Sequence, residues 1–403
     1  MINRRQFIRL VTIASGAPLL SQCLPTPSVR RSIQTNRISS VDGLLDLTLT
    51  SQASPYSIDN TSAQVLTYNG QIPGPLLEAK AGDTVRLTLN NQLNTPTNLH
   101  YHGLHISPEI DNVFRKIAPG DQYTYEFQIP SDHPATTAWY HPHYHLNVAE
   151  QVFGGLAGPF IIRGDVDTIP EIAQAEETVL VLQDFGITAQ GTIQTPHALA
   201  SKWGREGDRI LASGQANPIV SIPQNGLLRL RLINASASRI YKLQLQEHPW
   251  FLMATDRGAI SQPLEQDTVT LSPGERAEFL ISGQSKPGDY RLINLPYDRG
   301  LDKIVDALGT SAKNLPGVVL PEEQAIATLR YQSSERTSPL LLPQQLIAVE
   351  PLSSSLITRE FILDHGMDAS APTTGFTING KSFAMDRVNT QVKLNQIEDW
   401  HIV

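Results

Sequence analysis

Several stretches of the chain alternate between apolar and polar residues, as half-buried β-strands do. Side chains at every second position of a strand point to the same face, so each stretch has one apolar and one polar face. Around residue 230, three leucines form the apolar face, and Arg229 and Arg231 form the opposite one. The pattern predicts half-buried strands at Thr84–Leu89, Tyr123–Ile129 and Leu228–Leu232.

Other stretches are apolar almost without interruption and predict more deeply buried strands, at Val179–Leu182 and Leu156–Ile162. Asp302–Leu308, which Gly309 follows, predicts one short helix. The 403 residues include 27 glycines and 28 prolines, and this composition favours strands joined by turns over a helical protein. We therefore predict an all-β fold.

A short motif occurs three times and indicates three β units of similar construction. Each copy places a glycine turn before an apolar strand, and the copies are spaced by the length of a domain. The third copy predicts a strand at Gln391–Leu394. The first two copies also contain a Pro-Gly turn ahead of a later strand, at Pro119-Gly120 and Pro273-Gly274. The three glycine turns are Asn69-Gly70-Gln71, Ser213-Gly214-Gln215 and Asn379-Gly380-Lys381.

The repeats and the proline-rich connectors predict the domain organisation. We expect two complete β units and the start of a third, which is too short after Gly380 to close in the same way. The predicted segments are an export signal at 1–27, a linker at 28–40, a first unit at 41–166, a second unit at 167–335, a linker at 336–355 and an incomplete third unit at 356–403.

The N-terminal residues have the features of an export signal. Asn3–Ile8 resembles a twin-arginine motif, and the apolar stretch Leu10–Leu20 is shorter than the ~20 residues that span a bilayer. An ordinary secretory signal or a disordered arm is the alternative. Leu20–Cys23 loosely resembles a lipoprotein cleavage box, so a lipid anchor at Cys23 stays open. We expect a periplasmic or other extracytoplasmic location and no membrane span.

The net charge and the cysteine count narrow the range of candidate functions. A formal net charge of -8 gives no basis for binding nucleic acid or an anionic membrane surface. Cys23 is the single cysteine of the sequence and lies in the predicted leader. We therefore expect no disulfide and no thiolate metal ligand in the β units.

Two histidine pairs are the strongest candidates for chemistry. His100 and His102 flank Tyr101, and His141 and His143 flank Pro142. In a strand, residues i and i+2 share a face, so each pair presents two imidazoles to one side. Neighbouring strands could place four imidazoles around a small volume. Neutral imidazole suits copper, zinc, iron and nickel, so the pairs predict a metal site without naming the metal.

The sequence around these pairs resembles the multicopper oxidases, the family of laccases, bilirubin oxidases and bacterial cuprous oxidases. The order, spacing and flanking residues of several motifs match that family, and the likeness extends over most of the chain. The matching motifs are Tyr68–Pro75, Leu99–Leu104, Trp139–His143, Gly154–Gly158, Arg231–Ala235, Thr377–Phe383 and Glu398–Trp400.

The resemblance implies tandem Greek-key cupredoxin barrels that bind copper. By that likeness, His100 is a type 2 copper ligand, and His102, His141 and His143 are ligands of the type 3 copper pair. Asp111 corresponds to an acidic residue that holds copper-bound water and relays protons; a solvated loop carboxylate is the alternative interpretation. Two departures from the family pattern are Tyr101, where tryptophan is usual, and Leu146, where glycine is common.

The reaction implied by the resemblance is oxidation of a phenolic or metal-ion reductant, coupled to reduction of O2 to water. The family completes its copper centres with further histidines and a cysteine from its last domain, and the sequence stops at Val403, ahead of where that set is expected. We therefore expect the 403 residues alone to be inactive. The alternatives are a non-catalytic exported cupredoxin scaffold and, ranked last, a hydrolytic or storage site with one metal. Oligomeric state is left open.

Overall fold

A computed structural model confirms that the chain has an all-β fold. The predicted leader at 1–27, including Cys23, and the predicted helix Asp302–Leu308 lie outside the residues that the structure describes. The described residues are 36–58, 61–300, 315–365, 376–384 and 386–403.

The first β unit is a sandwich of two sheets around one core. A four-stranded sheet has the order β3-β2-β5-β7 and packs on a five-stranded sheet with the order β1-β4-β9-β8-β6. Inward-facing leucines and tyrosines of both sheets form the core, as the alternating pattern predicts. The strands are β1 (Arg37–Ser39), β2 (Leu44–Ile58), β3 (Thr61–Tyr68), β4 (Leu76–Lys80), β5 (Thr84–Asn91), β6 (His100–His102), β7 (Gln122–Gln128), β8 (Thr136–His141) and β9 (Gly158–Arg163).

The second β unit is also a two-sheet sandwich. Its sheets have the orders β11-β10-β13-β18-β15-β16 and β12-β20-β19-β14-β17. The core between them contains Trp250 stacked on Phe279, with ring centroids 3.9 Å apart. The strands are β10 (Glu176–Phe185), β11 (Arg209–Ala212), β12 (Ile219–Pro223), β13 (Leu227–Asn234), β14 (Tyr241–Leu245), β15 (Trp250–Thr255), β16 (Gly258–Gln266), β17 (Val269–Leu271), β18 (Arg276–Ser282), β19 (Asp289–Leu295) and β20 (Gln324–Gln332).

The described part of the C-terminal region contains two small two-stranded sheets. They pair β21 (Thr358–Phe361) with β24 (Asp399–Ile402), and β22 (Leu363–His365) with β23 (Phe376–Ile378). The predicted strand at Gln391–Leu394 is wrong, because these described residues form loop and turn. Val392 and Leu394 are exposed rather than packed, so their alternation reflects no buried face.

The glycine turns that indicated a repeat have one conformation in all three places. In each, the glycine and the residue before it have positive φ, which suits a tight two-residue turn between paired strands. The φ values are 53° and 75° at Asn69-Gly70, 48° and 76° at Ser213-Gly214, and 50° and 70° at Asn379-Gly380.

Short helices link the strands. They are α1 (Val148–Gly154), a 3₁₀ helix (Asp165–Thr168), α2 (Pro170–Ala173) and α3 (Ala198–Trp203). Within the described ranges, none of the helices has both the length and the apolar character needed to cross a membrane. The end of the predicted 28–40 linker is a strand, because β1 pairs in parallel with β4 and Arg37 forms an ion pair with Glu78 at 2.7 Å.

The prediction that Leu228–Leu232 is a half-buried strand is wrong, because Arg229 and Arg231 on its polar face are buried as well. Both are buried in the interface between the two β units, where a network of ion pairs replaces solvent. Glu278 is 2.6 Å from Arg231 and 2.7 Å from Arg229, and it accepts a 2.6 Å hydrogen bond from Thr137 of the first unit. Glu177 of β10 lies 2.8 Å from Arg231. The ion pairs compensate the charges of the two arginines, so β13 can be buried on both of its faces although one face is polar.

Candidate metal centre

The four predicted histidines lie together where β6 and β8 form one edge of the five-stranded sheet of the first unit. Strands β6 and β8 pair in antiparallel fashion with His100 opposite His141, and His143 follows β8 after one residue. Ring centroids lie 5.1 Å apart for His100 and His141, 5.5 Å for His100 and His102, and 5.2 Å for His100 and His143. One nitrogen from each of His100, His102 and His141 falls in a group whose members are all within 4.8 Å of one another.

The alternation of β6 and β8 explains why the imidazoles share one volume. Tyr101, between two of the histidines, points into the core and is fully buried against Tyr125 and Phe127. Tyr140, next to His141, is also buried and donates a 2.7 Å hydrogen bond to the carbonyl of Pro75. Because neighbouring residues of a strand point to opposite faces, the core-facing tyrosines place the histidines on the outer face of the sheet.

A buried asparagine that the sequence analysis missed fixes the second pair. The side-chain oxygen of Asn98 accepts a 2.7 Å hydrogen bond from the backbone N–H of His143. Its amide nitrogen donates to the carbonyl of Val113 at 2.9 Å. Asn98 thereby ties the loop after β8 to the residues just before β6. An asparagine next to Leu99 carries no motif signal, so the sequence alone could not identify this role.

The histidine nitrogens are arranged to leave lone pairs toward the pocket. His141 Nδ1 donates to the carbonyl oxygen of Pro142 at 2.9 Å, so Nε2 is the unprotonated nitrogen. His102 Nδ1 lies 3.4 Å from that Nε2. Two imidazole nitrogens that bind one ion at ~2.0 Å with a tetrahedral angle are separated by about 3.3 Å. The observed separation therefore fits two ligands of a single ion.

Asp111 is in contact with a candidate ligand. Its Oδ2 lies 2.8 Å from His100 Nδ1, and its Oδ1 accepts a 3.1 Å hydrogen bond from the backbone N–H of Tyr101. A carboxylate on one ring nitrogen fixes the tautomer and directs the other nitrogen toward an ion. This contact favours the interpretation of Asp111 as a partner of the site over that of a solvated loop carboxylate.

Burial keeps three of the imidazoles neutral. Burial, aided by the positive charge of Arg276, lowers the pKa of His102 to about 3. Burial likewise lowers the pKa of His141 well below its usual value, and that of His143 to a lesser extent. Neutral imidazole is the form that binds metal ions, so these side chains need no deprotonation at neutral pH before they act as ligands.

Residues of both β units surround the histidines. Trp139 stacks on His141 and on His102, with ring centroids 4.1 Å and 5.2 Å apart. The histidines open into a cavity of about 310 Å³. Its remaining lining residues are Val148, Ala149 and Val152 of α1 and Ser236, Ala237, Pro273 and Gly274 of the second unit.

Comparisons with known proteins agree with this fold. Residues 50–167 and residues 176–311 each match a family model described as multicopper oxidase. The chain therefore belongs to the multicopper oxidase family, its barrels are cupredoxin barrels, and copper is the cofactor that this membership implies. The clustered neutral imidazoles are suitable donors for that metal.

Individual relatives differ in their described roles. The chain is 30% identical over its whole length to the cell division protein FtsP of Yersinia pestis, and the alignment spans 82% of that protein. It is 29% identical to the multicopper oxidase mco of Staphylococcus epidermidis, over 85% of this chain and 66% of that one. A solved structure of a Campylobacter jejuni multicopper oxidase, described as a metallo-oxidase, superimposes with a TM-score of 0.77 at 28% identity, covering 92% of this chain and 77% of the other.

Proposed function

We propose that His100, His102, His141 and His143 bind copper and that the protein takes part in multicopper-oxidase chemistry. The observation that carries this proposal is the convergence of four imidazoles, three of them held neutral by burial, on one cavity. His141 is buried and the other three histidines are partly buried, so the four imidazoles are close together yet open to an ion from the cavity.

The role that we propose for each residue follows from its contacts. His100, oriented by Asp111, is the ligand of the type 2 copper, and the other three histidines are ligands of the type 3 pair. Copper at this position supplies the one-electron steps by which O2 is reduced. The Asp111 carboxylate accepts a hydrogen bond from Nδ1 of His100, which stabilises the His100 tautomer whose Nε2 faces the ion, and it is the group that we propose relays protons to the site. Trp139, α1 and the second unit line the cavity onto which the imidazoles open.

The proposed reaction is oxidation of a phenolic or metal-ion reductant coupled to reduction of O2 to water. In the family, a copper with a cysteine ligand collects electrons from the reductant. The 403 residues contain one cysteine, Cys23, and it precedes the first described strand. We therefore propose that these residues alone bind copper without sustained turnover.

Copper binding to the purified protein tests the proposal. Titration with Cu(II) against a chromophoric chelator should give binding of about one ion or more per chain. His141→Ala should weaken this binding by at least about 100-fold, because it removes a ligand rather than an outer partner. His401→Gln is the matched control: His401 is exposed on β24, so its loss should leave copper binding unchanged. Equal affinities for the two variants would contradict the proposal.

A scaffold without catalytic copper is the second candidate. It is favoured by the likeness to proteins described as cell division protein FtsP. In that case the protein would act through its surfaces, and wild-type protein equilibrated with excess copper would contain none after gel filtration. The four retained histidines and the pairing of Asp111 with His100 favour the copper-binding proposal.

We also propose that the protein is exported through its N-terminal segment. The paired Arg4 and Arg5 support a twin-arginine signal, and Cys23 is a candidate for lipid attachment. Cell fractionation of the wild type and of an Arg4→Lys/Arg5→Lys variant tests export. Equal extracytoplasmic amounts of both would contradict a twin-arginine route.

A further inference from the structure

The turn that joins β17 to β18 in the second unit reaches the histidines of the first. Its residue Gly274 has φ +89°, and a Cβ built there would lie 2.8 Å from Cε1 of His102. Carbon atoms do not approach that closely, so any side chain at position 274 must displace the His102 ring or the turn itself. The glycine thus leaves the space that the imidazole occupies.

The turn is held firmly in this place. The backbone N–H of Gly274 donates a 2.9 Å hydrogen bond to the carbonyl of Asn234. Arg276, which is buried, donates from Nη1 to the carbonyl of Gly274 at 3.1 Å and from Nε to the carbonyl of Thr137 at 2.9 Å. Since Thr137 lies on β8, two residues before Trp139, Arg276 fixes the turn to the strand that carries the indole.

The imidazole of His102 therefore has contacts from both units. Trp139 stacks on it from within the first unit, and Gly274 contacts it from the second. His102 Nδ1 lies 3.4 Å from His141 Nε2 in this arrangement. A small displacement of the ring would change that separation, which is the one suited to two ligands of a single ion.

We propose that the Pro273-Gly274 turn is a positioning element of the metal centre, in which Gly274 sets the orientation of His102 for metal binding. The proposal deepens and rests on the copper-binding function proposed above. It assigns a role in the histidine site to the second unit, which supplies none of the four histidines. The role is indirect, because Gly274 acts through His102.

The chain contains a matched control for the strain of a non-glycine residue at positive φ. Gly120 follows Pro119 as Gly274 follows Pro273, and its φ is +85°. Its backbone N–H donates a 2.8 Å hydrogen bond to the carbonyl of Asn91, just as the N–H of Gly274 donates one to the carbonyl of Asn234. A Cβ at Gly120 would meet nothing within 4 Å. Gly274→Ala and Gly120→Ala therefore carry the same backbone cost and differ in the contact with His102.

Two measurements on these variants test the proposal. Competition with a chelator should show Cu(II) affinity reduced about 10- to 100-fold in Gly274→Ala and unchanged in Gly120→Ala. The nitrogen hyperfine pattern of bound Cu(II) in electron paramagnetic resonance should change in the first variant alone. Equal affinities and identical spectra for the two variants would overturn the proposal.

A measurement without copper separates this proposal from the proposed function. Gly274→Ala should lower the urea unfolding midpoint more than Gly120→Ala does, and the excess should vanish when His102→Ala is added to each. In metal-free protein labelled with ¹⁵N-histidine, the His102 ring resonances should shift in Gly274→Ala only. If wild-type protein binds no copper, the proposed copper function is refuted, but these metal-free results still show whether Gly274 determines the position of His102. An excess that persists without His102, or unshifted resonances, would refute the positioning role.

Discussion

Neutralising Glu278 should destabilise the protein strongly, because this carboxylate lies at the centre of the buried ion network between the two β units. Glu278 is 1% exposed and lies within 2.6–2.7 Å of Arg229, Arg231 and Thr137. Glu278→Gln preserves the shape of the side chain but leaves two buried guanidinium groups without their shared carboxylate. Removing one partner of a buried ion pair costs about 3–5 kcal/mol.

An exposed ion pair on the second unit provides the control. Arg330 and Asp289 are 2.6 Å apart on neighbouring strands, and their side chains are 49% and 48% exposed. Breaking a pair of this kind costs far less than breaking a buried one, because solvent screens both charges. Asp289→Asn makes the same carboxylate-to-amide change as Glu278→Gln, so the comparison isolates the effect of burial.

Urea unfolding followed by tryptophan fluorescence measures the difference, since Trp139 and Trp250 report on the first and second units respectively. With a urea dependence of about 2 kcal/mol per M, Glu278→Gln should lower the midpoint by about 1.5–2.5 M and Asp289→Asn by less than about 0.5 M. Larger proteins can unfold in steps, so the two variants are compared within the same transition. Midpoints lowered equally in both variants would refute the reasoning.

The remaining predictions concern pH, the partner of His100 and the contact between the units. Burial alone would raise the pKa values of Glu177 and Glu278, but the neighbouring arginines lower both. The two ionised carboxylates contribute fully to the stability of the fold above their unfolded pKa near 4.3, and this contribution is lost as the pH falls through their folded pKa values. Wild-type stability should therefore drop between pH 5 and 3 more steeply than that of Glu278→Gln, and parallel pH profiles would contradict this. Asp111→Asn should weaken copper binding about 10- to 100-fold in chelator competition, whereas an unchanged affinity would show that Asp111 does not orient His100. The hydroxyl of Tyr56 donates a 3.1 Å hydrogen bond to the carbonyl of Gly214 in the second unit. Tyr56→Phe should therefore lower the free energy of unfolding in urea by about 0.5–1.5 kcal/mol, and an unchanged value would mean that this bond does not stabilise the contact between the two units.

Features that depend on local sequence were predictable. The turns at Asn69-Gly70, Ser213-Gly214 and Asn379-Gly380 all have positive φ. Glycine, which all three share, and asparagine, which two of them have, accommodate this conformation, so the recurrence of the turns identifies the repeated β unit. The spacing of the histidine pairs is equally local, because alternation within a strand decides which side chains share a face.

Features that depend on contacts between distant segments were not predictable. Arg229 and Arg231 alternate with leucines as residues of a solvent face would, and only the approach of Thr137 and Glu278 shows why they are buried. Asn98 likewise carries no motif signal, and the motif at Pro273-Gly274 indicates a turn but not its position beside His102. The roles of Asn98 and Gly274 come from hydrogen bonds and close contacts with residues brought near by the packing of the strands and of the two units.

The central claim is that the paired imidazoles of the first β unit hold copper. Anomalous difference density collected at the copper absorption edge from copper-soaked crystals tests it most directly. We expect peaks inside the cavity, about 2 Å from nitrogens of His100, His102, His141 and His143. Copper density only at surface histidines, with the cavity empty at saturating copper, would contradict it.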